Sequence, residues 1–177
     1  MISIVRANEL NGDYVGKVRE LVNDYMLSNY VYNKIAQAVW WSNVMSRNDI
    51  FVYIVVNHSI GSIDHAPCIG YAIIDKIDVE NGRCYAQVQI EESFRGKGYG
   101  CDAWDRILHV CFDTMKMNKV VLEVITTNLR AIHVYEKLGF KIEGTLKNHY
   151  KKSDGFIDVH IMSILRSDYY ENERKYL

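Results

Sequence analysis

The sequence lacks most features that mark a secreted, metal-binding or multidomain protein. Its 177 residues contain one proline and four cysteines. The cysteines form no Cys-x-x-Cys pair and have no histidine at metal-ligand spacing, so we expect reduced thiols in a cytoplasmic protein, with no metal. The lone proline, Pro67, excludes a proline-rich linker. At this length we expect a single domain over residues 1–177.

Long apolar runs and an excess of one charge are also missing. No run approaches the roughly 18 residues that a membrane-spanning helix needs, and the N-terminus lacks the charged-then-apolar pattern of a signal peptide. The 21 basic and 22 acidic residues give a net charge of −1. A protein that grips nucleic acid needs a basic surface. We therefore expect neither a membrane nor a nucleic acid as partner, while a homodimer stays open.

Apolar periodicity predicts an α+β protein. Alternating and β-branched runs indicate seven strands, at residues 2–6, 50–56, 68–77, 83–91, 119–125, 140–146 and 155–165. Helical spacing predicts helices at residues 13–28, 32–46, 101–117 and 128–139. In the second of these we expect four residues to face inward: Ile35, Ala38, Val39 and Val44. The tail, residues 166–177, is of mixed charge and predicted to lie on the surface.

Aromatic residues are concentrated in the two predicted N-terminal helices. The region holds the pair Trp40-Trp41 and four tyrosines, Tyr14, Tyr25, Tyr30 and Tyr32. Aromatic side chains in helices mostly serve packing, which is one interpretation here. The other is that some of them wall a pocket for a substrate.

One glycine-rich turn carries the clearest chemical signal in the chain. It joins a strand to a helix and reads Arg95-Gly96-Lys97-Gly98-Tyr99-Gly100. Glycines permit positive φ and a close approach of the backbone to a ligand. Backbone N–H groups at a helix start attract anions, and two cations flank this turn. We predict a pyrophosphate site here; a glycine-rich turn without a ligand is the alternative.

Two other kinds of phosphate loop fail on spacing. The triphosphate loop Gly-x4-Gly-Lys-Ser/Thr is absent, because Cys101 and Asp102 follow the last glycine. The dinucleotide motif Gly-x-Gly-x-x-Gly would need glycine at position 101, which is cysteine. That motif also opens a parallel sheet of several units, and only about 75 residues remain after the turn.

Several motifs in order resemble the GNAT superfamily of N-acetyltransferases. Arg95-x-x-Gly98-x-Gly100 is similar to its Gln/Arg-x-x-Gly-x-Gly/Ala motif, and the run from Asn128 through Tyr135 to Phe140 resembles its next segment. Pieces downstream look like the branch that acetylates ribosomal-protein N-termini, polyamines and amino sugars. The resemblance covers about residues 50–165. It implies a mixed, mostly antiparallel sheet of about seven strands with helices on both faces.

The resemblance further implies acetyl-CoA as the donor. Its pyrophosphate would lie on the turn formed by Arg95, Gly96, Lys97, Gly98, Tyr99 and Gly100. The strand residues Val88, Gln89 and Ile90 would bind the pantetheine arm and present a backbone N–H to the thioester carbonyl, where negative charge develops. Asn128 would contact the same arm. In such folds this strand splays from the strand at residues 120–125 and leaves a cleft.

The resemblance also implies catalytic residues. Tyr135 matches the tyrosine that protonates the leaving thiolate; a core tyrosine is the alternative. Glu123 resembles a glutamate proposed as general base, but it could be a salt-bridged structural residue, or ordered water could replace a dedicated base. Glu91 and Glu92 are weaker candidates. His149 and Tyr150 are placed by the family layout near the acceptor.

The sequence therefore predicts an acetyl-CoA-dependent N-acetyltransferase acting on a primary amine of a small molecule. An amino sugar, a nucleotide-linked amino sugar and a polyamine are the candidate acceptors. A protein N-terminus is the rival acceptor, and a non-catalytic CoA-binding domain is the rival function. Since residues 1–48 carry no motif of the family, the acceptor is what the sequence leaves open.

Overall fold

The computed structural model describes residues 1–21, 33–60 and 66–175, and contains seven strands and five α-helices in these ranges. In chain order they are β1 (Ile2–Arg6), α1 (Gly12–Leu21), α2 (Lys34–Met45), β2 (Phe51–Asn57), β3 (Cys68–Asp78), β4 (Arg83–Ile90), α3 (Tyr99–His109), β5 (Lys119–Ile125), α4 (Leu129–Leu138), β6 (Lys141–Lys152), β7 (Gly155–Leu165) and α5 (Arg166–Lys175). The expected end of the first helix, residues 22–28, and the tyrosines at 25, 30 and 32 lie outside the described residues.

The strands form one mixed sheet in the order β1-β2-β3-β4-β5-β7-β6. Five of the six neighbouring pairs are antiparallel, and β4 with β5 is the parallel pair. The β3–β4 hairpin turns at Gly82, whose φ of +62° suits the predicted Asn81-Gly82 turn. The predicted sheet of about seven, mostly antiparallel strands is confirmed.

Helices cover both faces of the sheet. We call the side packed against α1 and α2 the α2 face, and the side packed against α3, α4 and α5 the α3 face. The α3 face holds the largest core cluster, which joins β3, β4, β5 and β7 under Trp104 and Phe112. The α2 face holds a smaller cluster in which Trp41 packs on Ile54 and Tyr71. The larger core therefore joins the strands on either side of the parallel β4–β5 pair.

The inward face of α2 differs from the predicted one. Of the four residues predicted to face inward, Val44 is buried, but Ala38 is exposed, Ile35 is 78% exposed and Val39 is 58% exposed. Gln37 and Trp41 are buried instead. The polar groups of the two unexpected residues are satisfied: the Gln37 amide donates to the Gly12 carbonyl at 2.9 Å, and the Trp41 indole donates to the Glu9 carbonyl at 3.2 Å. The prediction counted apolar side chains, but the large Trp41 ring and these bonds set the rotation of the helix.

Two further predictions need correction. The helix expected to reach residue 117 ends at His109 and continues as one π-helical turn, Val110–Thr114, which turns Cys111 and Phe112 into the core. The C-terminal tail is not a surface segment throughout: it forms α5, where Tyr169 is 4% exposed and donates to Asp105 at 3.1 Å. Of the helices in the described ranges, none has the length and hydropathy needed to cross a bilayer.

Candidate active site

A cleft opens where β4 and β5 part. The two strands pair only from Arg83–Tyr85 to Lys119–Val121. Beyond these three residue pairs β4 continues to Ile90 and β5 to Ile125, with about 710 Å³ of space between and around them. The splayed strands expected from the resemblance are therefore present.

The backbone on the open side of β4 is where an extended ligand would find hydrogen-bonding groups. Val88, Gln89 and Ile90 line the cleft, and β3 pairs with the other side of β4 through Gly70 and Ile90. At Gly70 a Cβ would lie 2.2 Å from the Gln89 carbonyl oxygen, so only glycine allows this approach. The glycine thus fixes the position of the β4 segment that faces the cleft.

The glycine-rich turn closes one end of the cleft. Gly96 and Gly98 have φ of +77° and +84°, and Gly98 is the residue before the first turn of α3. Gly100 lies inside α3 and is not in this conformation. A Cβ on Gly98 would meet no atom of the described residues within 4 Å, so the turn faces open space. Free N–H groups at a helix start beside open space form an anion site.

Two arginines stand at this turn. The Nε of Arg95 donates to the Ile90 carbonyl at 3.0 Å, which ties the turn to the end of β4. Arg130, from α4, places its Nη2 3.8 Å from where a Gly96 Cβ would stand. Arg95 and Arg130 both line the cleft, and their charge favours phosphate.

Tyr135 lies on the α3 face of the cleft. Its ring meets Trp104 edge-on at 5.4 Å between centroids and Phe140 at 5.9 Å. Burial raises the pKa of Tyr135 to about 12, because a phenolate is poorly solvated among these rings. The hydroxyl therefore keeps its proton at neutral pH. Half-buried and lining the cleft, Tyr135 is placed to donate that proton.

Asn128 begins α4 as predicted. Its Oδ1 accepts the backbone N–H of Ala131 at 3.2 Å, and the helix ends at Gly139 with φ of +98°. Asn128 also lines the cleft. The cap thus fixes the start of the helix that carries Tyr135.

Glu123 lines the cleft from β5 and is bound on both oxygens. Lys76 Nζ lies 3.2 Å from its Oε1, and the Tyr150 hydroxyl donates to its Oε2 at 2.9 Å. Its side chain is 11% exposed. Burial and the Glu123 carboxylate raise the pKa of Tyr150 to about 12. Glu123 therefore has the salt bridge expected of a structural residue, and it also lines the cleft, as a general base would.

The α2 face supplies the rest of the cleft wall. Trp40 and Arg19 form part of it, with the Arg19 guanidinium 4.2 Å above the Trp40 ring. The pair Trp40-Trp41 therefore divides between the two interpretations: Trp41 packs in the core and Trp40 lines the cleft. Asp75, Arg47 and Gln87 also line this side.

Among the cleft residues that the sequence did not predict are five polar or charged ones: Arg19, Arg47, Asp75, Gln87 and Arg130. Arg130 stands two residues after Asn128 inside a recognised motif, which is a signal that could have found it. The other four have no local signal, since their place depends on strand register and helix rotation.

Ten of the twelve predicted site residues meet at the cleft: Tyr135, Glu123, Val88, Gln89, Ile90, Arg95, Gly96, Gly98, Gly100 and Asn128. Lys97 and Tyr99 are not among the described residues that line it. Lys97 is exposed and donates to the Ser93 carbonyl at 3.0 Å. Tyr99 packs on the cluster of Ile2, Ile90 and Ala103. Their side chains thus point to roles in the turn and in the core.

Comparison with known proteins adds a family to this geometry. The acetyltransferase (GNAT) domain model matches residues 15–141, which is more than half of the chain. The chain belongs to this family. The fold class predicted from the motifs is thereby confirmed, together with the resemblance itself.

Curated relatives in the family include polyamine and amino acid acetyltransferases. The spermidine N(1)-acetyltransferase of Vibrio cholerae serotype O1 is 31% identical over 101 residues, which is 57% of this chain and 58% of that protein. The L-amino acid N-acetyltransferase AaaT of Escherichia coli is 26% identical over 74 residues, 42% of this chain and 46% of that protein. The matches thus span about half the length of such relatives.

A solved structure extends the likeness of fold to nearly the whole chain. The spermidine N-acetyltransferase from Vibrio cholerae, in complex with CoA and spermine, superposes with a TM-score of 0.85. The match covers 96% of this chain and 98% of that one, at 20% sequence identity. At that identity the likeness establishes the GNAT fold alone.

Proposed function

We propose that this protein is an acetyl-CoA-dependent N-acetyltransferase that acts on the primary amine of a small molecule, a polyamine first among them. One observation carries the proposal: the gap between β4 and β5 has an anion-binding turn at one end and Tyr135 on its wall. A pyrophosphate with an extended arm fits such a gap. A protonated phenol beside that arm can supply the proton that a leaving thiolate needs.

The residues divide the work by position. Backbone N–H groups at Gly96 and Gly98, with Arg95 and Arg130, would hold the pyrophosphate. The open side of β4 at residues 88–90 would hold the pantetheine arm and polarise the carbonyl. When bound, acetyl-CoA supplies the thioester whose acetyl group is transferred. Tyr135 would give its proton to the thiolate that leaves.

The acceptor would enter from the α2 face. Two carboxylates, Asp75 and Glu123, line the cleft on that side and suit a cationic amine. Arg47 is offset by Asp49, with which it pairs at 2.6 Å. Lys76 pairs with Glu123 at 3.2 Å, so each offsets part of the other's charge, and Asp75 is the carboxylate left without an ion pair among the described residues. The polyamine acetyltransferases among the relatives support the same class of acceptor. An acceptor on this side would lie across the sheet from Tyr135.

A thiol-release assay tests the proposal. The purified protein is incubated with acetyl-CoA and, separately, spermidine, spermine, glucosamine, an amino acid and a peptide with a free N-terminus. We expect release of CoA with spermidine or spermine above the rate without amine, and mass spectrometry should show an acetyl group on a primary nitrogen.

Each of the other outcomes of the assay would indicate a different function. Release only with the peptide would indicate a protein N-terminal acetyltransferase, and release only with glucosamine an amino-sugar enzyme. Release without any amine would indicate hydrolysis. Binding of acetyl-CoA by calorimetry without release by any amine would support a non-catalytic CoA-binding domain.

A further inference from the structure

Two carboxylates share the acceptor side of the cleft. Across the sheet Asp75 pairs with Tyr85, and Tyr85 pairs with Val121, so these three residues form one row on one face. Glu123 lies two residues beyond Val121 and faces the same way. Asp75 and Glu123 therefore flank the point where β4 and β5 part, and both line the cleft.

Glu123 is already committed to its neighbours. Lys76 occupies one oxygen and the Tyr150 hydroxyl the other. Lys76 takes this place because its φ of +47° turns the side chain onto the α2 face, where Nζ also stands 4.1 Å over the Tyr85 ring. Two side chains, Lys76 and Tyr150, thus fix the position of the Glu123 carboxylate.

Asp75 is in the opposite situation. It is half-buried at the cleft wall, and among the described residues no hydrogen bond or ion pair engages its carboxylate. The charged groups that face it are Lys76, Glu123, Arg47 and Asp49. Burial raises the pKa of Asp75, with Glu123 and Asp49 acting in the same direction and Lys76 and Arg47 against it. A carboxylate with a raised pKa is the better proton acceptor.

We propose that Asp75 is the general base that takes a proton from the acceptor ammonium, and that Glu123, held by Lys76 and Tyr150, is a positioning residue. This inference rests on the proposed function. Asp75 is two strands from β5, roughly 10 Å by the usual spacing, and the amine reaches it directly or through one water. Asp75, two strands away from Glu123, thus takes the role of general base for which the family resemblance offered Glu123.

The proton balance of the reaction closes with these two residues. Asp75 removes one proton from the ammonium and passes it to solvent, which leaves a neutral amine. The amine nitrogen then forms a bond to the acetyl carbon as the carbon–sulfur bond breaks. The sulfur takes the Tyr135 proton, and the second proton lost by nitrogen returns to Tyr135 through water. One proton is released per amide formed.

The test compares Asp75→Asn and Glu123→Gln with wild type in steady-state kinetics with spermidine from pH 6.5 to 9.5. We expect Asp75→Asn to lower kcat about 10²-fold at pH 7, the usual worth of a general base. The deficit should narrow below about tenfold at pH 9.5, because an amine with a pKa of about 10.4 then needs less help to lose its proton. Glu123→Gln should change KM for spermidine by the same factor at every pH.

Matched variants keep the test independent of folding. Asp75→Glu should recover part of kcat, and Asp154→Asn, in the β6–β7 turn, should behave as wild type. Acetyl-CoA affinity by calorimetry should be unchanged in all variants. A pH-dependent loss in Glu123→Gln, or a loss in Asp75→Asn that is confined to KM or equal at every pH, would overturn the assignment. Wild-type protein inactive with every amine of the panel would overturn the proposed function and this inference together.

Discussion

At the scale of single residues, packing sets the protonation state of Tyr135, the proposed proton donor. An exposed tyrosine begins to lose its proton near pH 10. Trp104 and Phe140 surround the Tyr135 ring, and burial raises the pKa of Tyr135 to about 12. The direction matters: a raised pKa keeps the Tyr135 hydroxyl protonated to a higher pH than that of an exposed tyrosine.

Replacing Tyr135 with phenylalanine should lower kcat about 10²-fold, since the proton donor is lost while the ring contacts remain. Acetyl-CoA affinity, measured by calorimetry, should not change. In wild type, activity should not fall between pH 8 and 10 through ionisation of this residue. Tyr53→Phe, on β2 outside the cleft, is the control. Wild-type turnover in Tyr135→Phe would remove the residue from the mechanism.

Replacing Gly98 with glutamate should abolish acetyl-CoA binding in calorimetry. A side chain at φ of +84° is strained by about 1 kcal/mol, and the carboxylate would stand where phosphate is expected. A Cβ at this position meets no described atom within 4 Å, so a clash within the protein is not the cause. Gly144→Glu, at an exposed glycine of β6 with equal space, should bind normally. Equal affinity in both variants would refute the phosphate site.

Residues within a short motif could be predicted from the sequence, and residues assembled by register could not. The glycine turn, Asn128 and Tyr135 each lie in a motif that the sequence shows, and Gly96, Gly98, Asn128 and Tyr135 line the cleft. Asp75 comes to the cleft because a β-bulge region follows it and because its row aligns with Val121. No spacing along the chain encodes that alignment.

At the scale of elements, strands were easier to predict than helix rotation. β5 has the predicted limits, because its β-branched run is buried on both faces. The start of α2 is fixed by the Asn33 side chain, which accepts from Ile35 and Ala36, both at 3.0 Å. The buried face of α2 depends instead on Gln37 and Trp41 reaching backbone carbonyls of another segment. The spacing of apolar residues along the sequence cannot predict those hydrogen-bond partners.

The contact between β3 and β4 gives a prediction at this scale. Gly70→Ala should force the Gln89 carbonyl away, because the added Cβ would lie 2.2 Å from it. We expect a loss of about 1–3 kcal/mol in the free energy of unfolding, seen in thermal melts. Acetyl-CoA affinity should weaken as well, since Gln89 faces the cleft. Gly144→Ala is the control. Full acetyl-CoA affinity in a destabilised Gly70→Ala protein would show that this backbone does not bind the ligand.

At the scale of the whole molecule, the order of the strands in the sheet was not predicted. Alternation of residues predicts strands but not that β7 inserts between β5 and β6. Side-chain bonds hold that arrangement: Lys119 on β5 and Ser163 on β7 both donate to Glu143 on β6, at 2.5 and 2.7 Å. Such bonds across three strands form only in the folded sheet.

Acid should weaken this sheet. Lys119 and Ser163 lower the pKa of Glu143 in the folded state, and Lys147 and the Asn148 N–H lower that of Asp158. A carboxyl whose pKa is lower in the folded than in the unfolded state adds to the free energy of unfolding at pH values above its unfolded pKa, which is about 4. This contribution is lost as the pH falls through the folded pKa. Tm should therefore drop below about pH 4. The Tm of Glu143→Gln should fall less steeply with decreasing pH than the Tm of Glu80→Gln, a surface variant. Identical dependence of Tm on pH in the two variants would contradict the role of Glu143.

The three residue pairs between β4 and β5 are the whole hydrogen-bonded joint between two half-sheets. Such a joint opens more readily than the ladders beside it, so amide protons of β4 and β5 beyond Tyr85 and Val121 should exchange with solvent faster than those of β3 or β7. An extended ligand in the gap replaces the missing ladder. Its binding should slow exchange on both strands together and raise the cooperativity of thermal unfolding, because the bound ligand would lie between them as an added strand does.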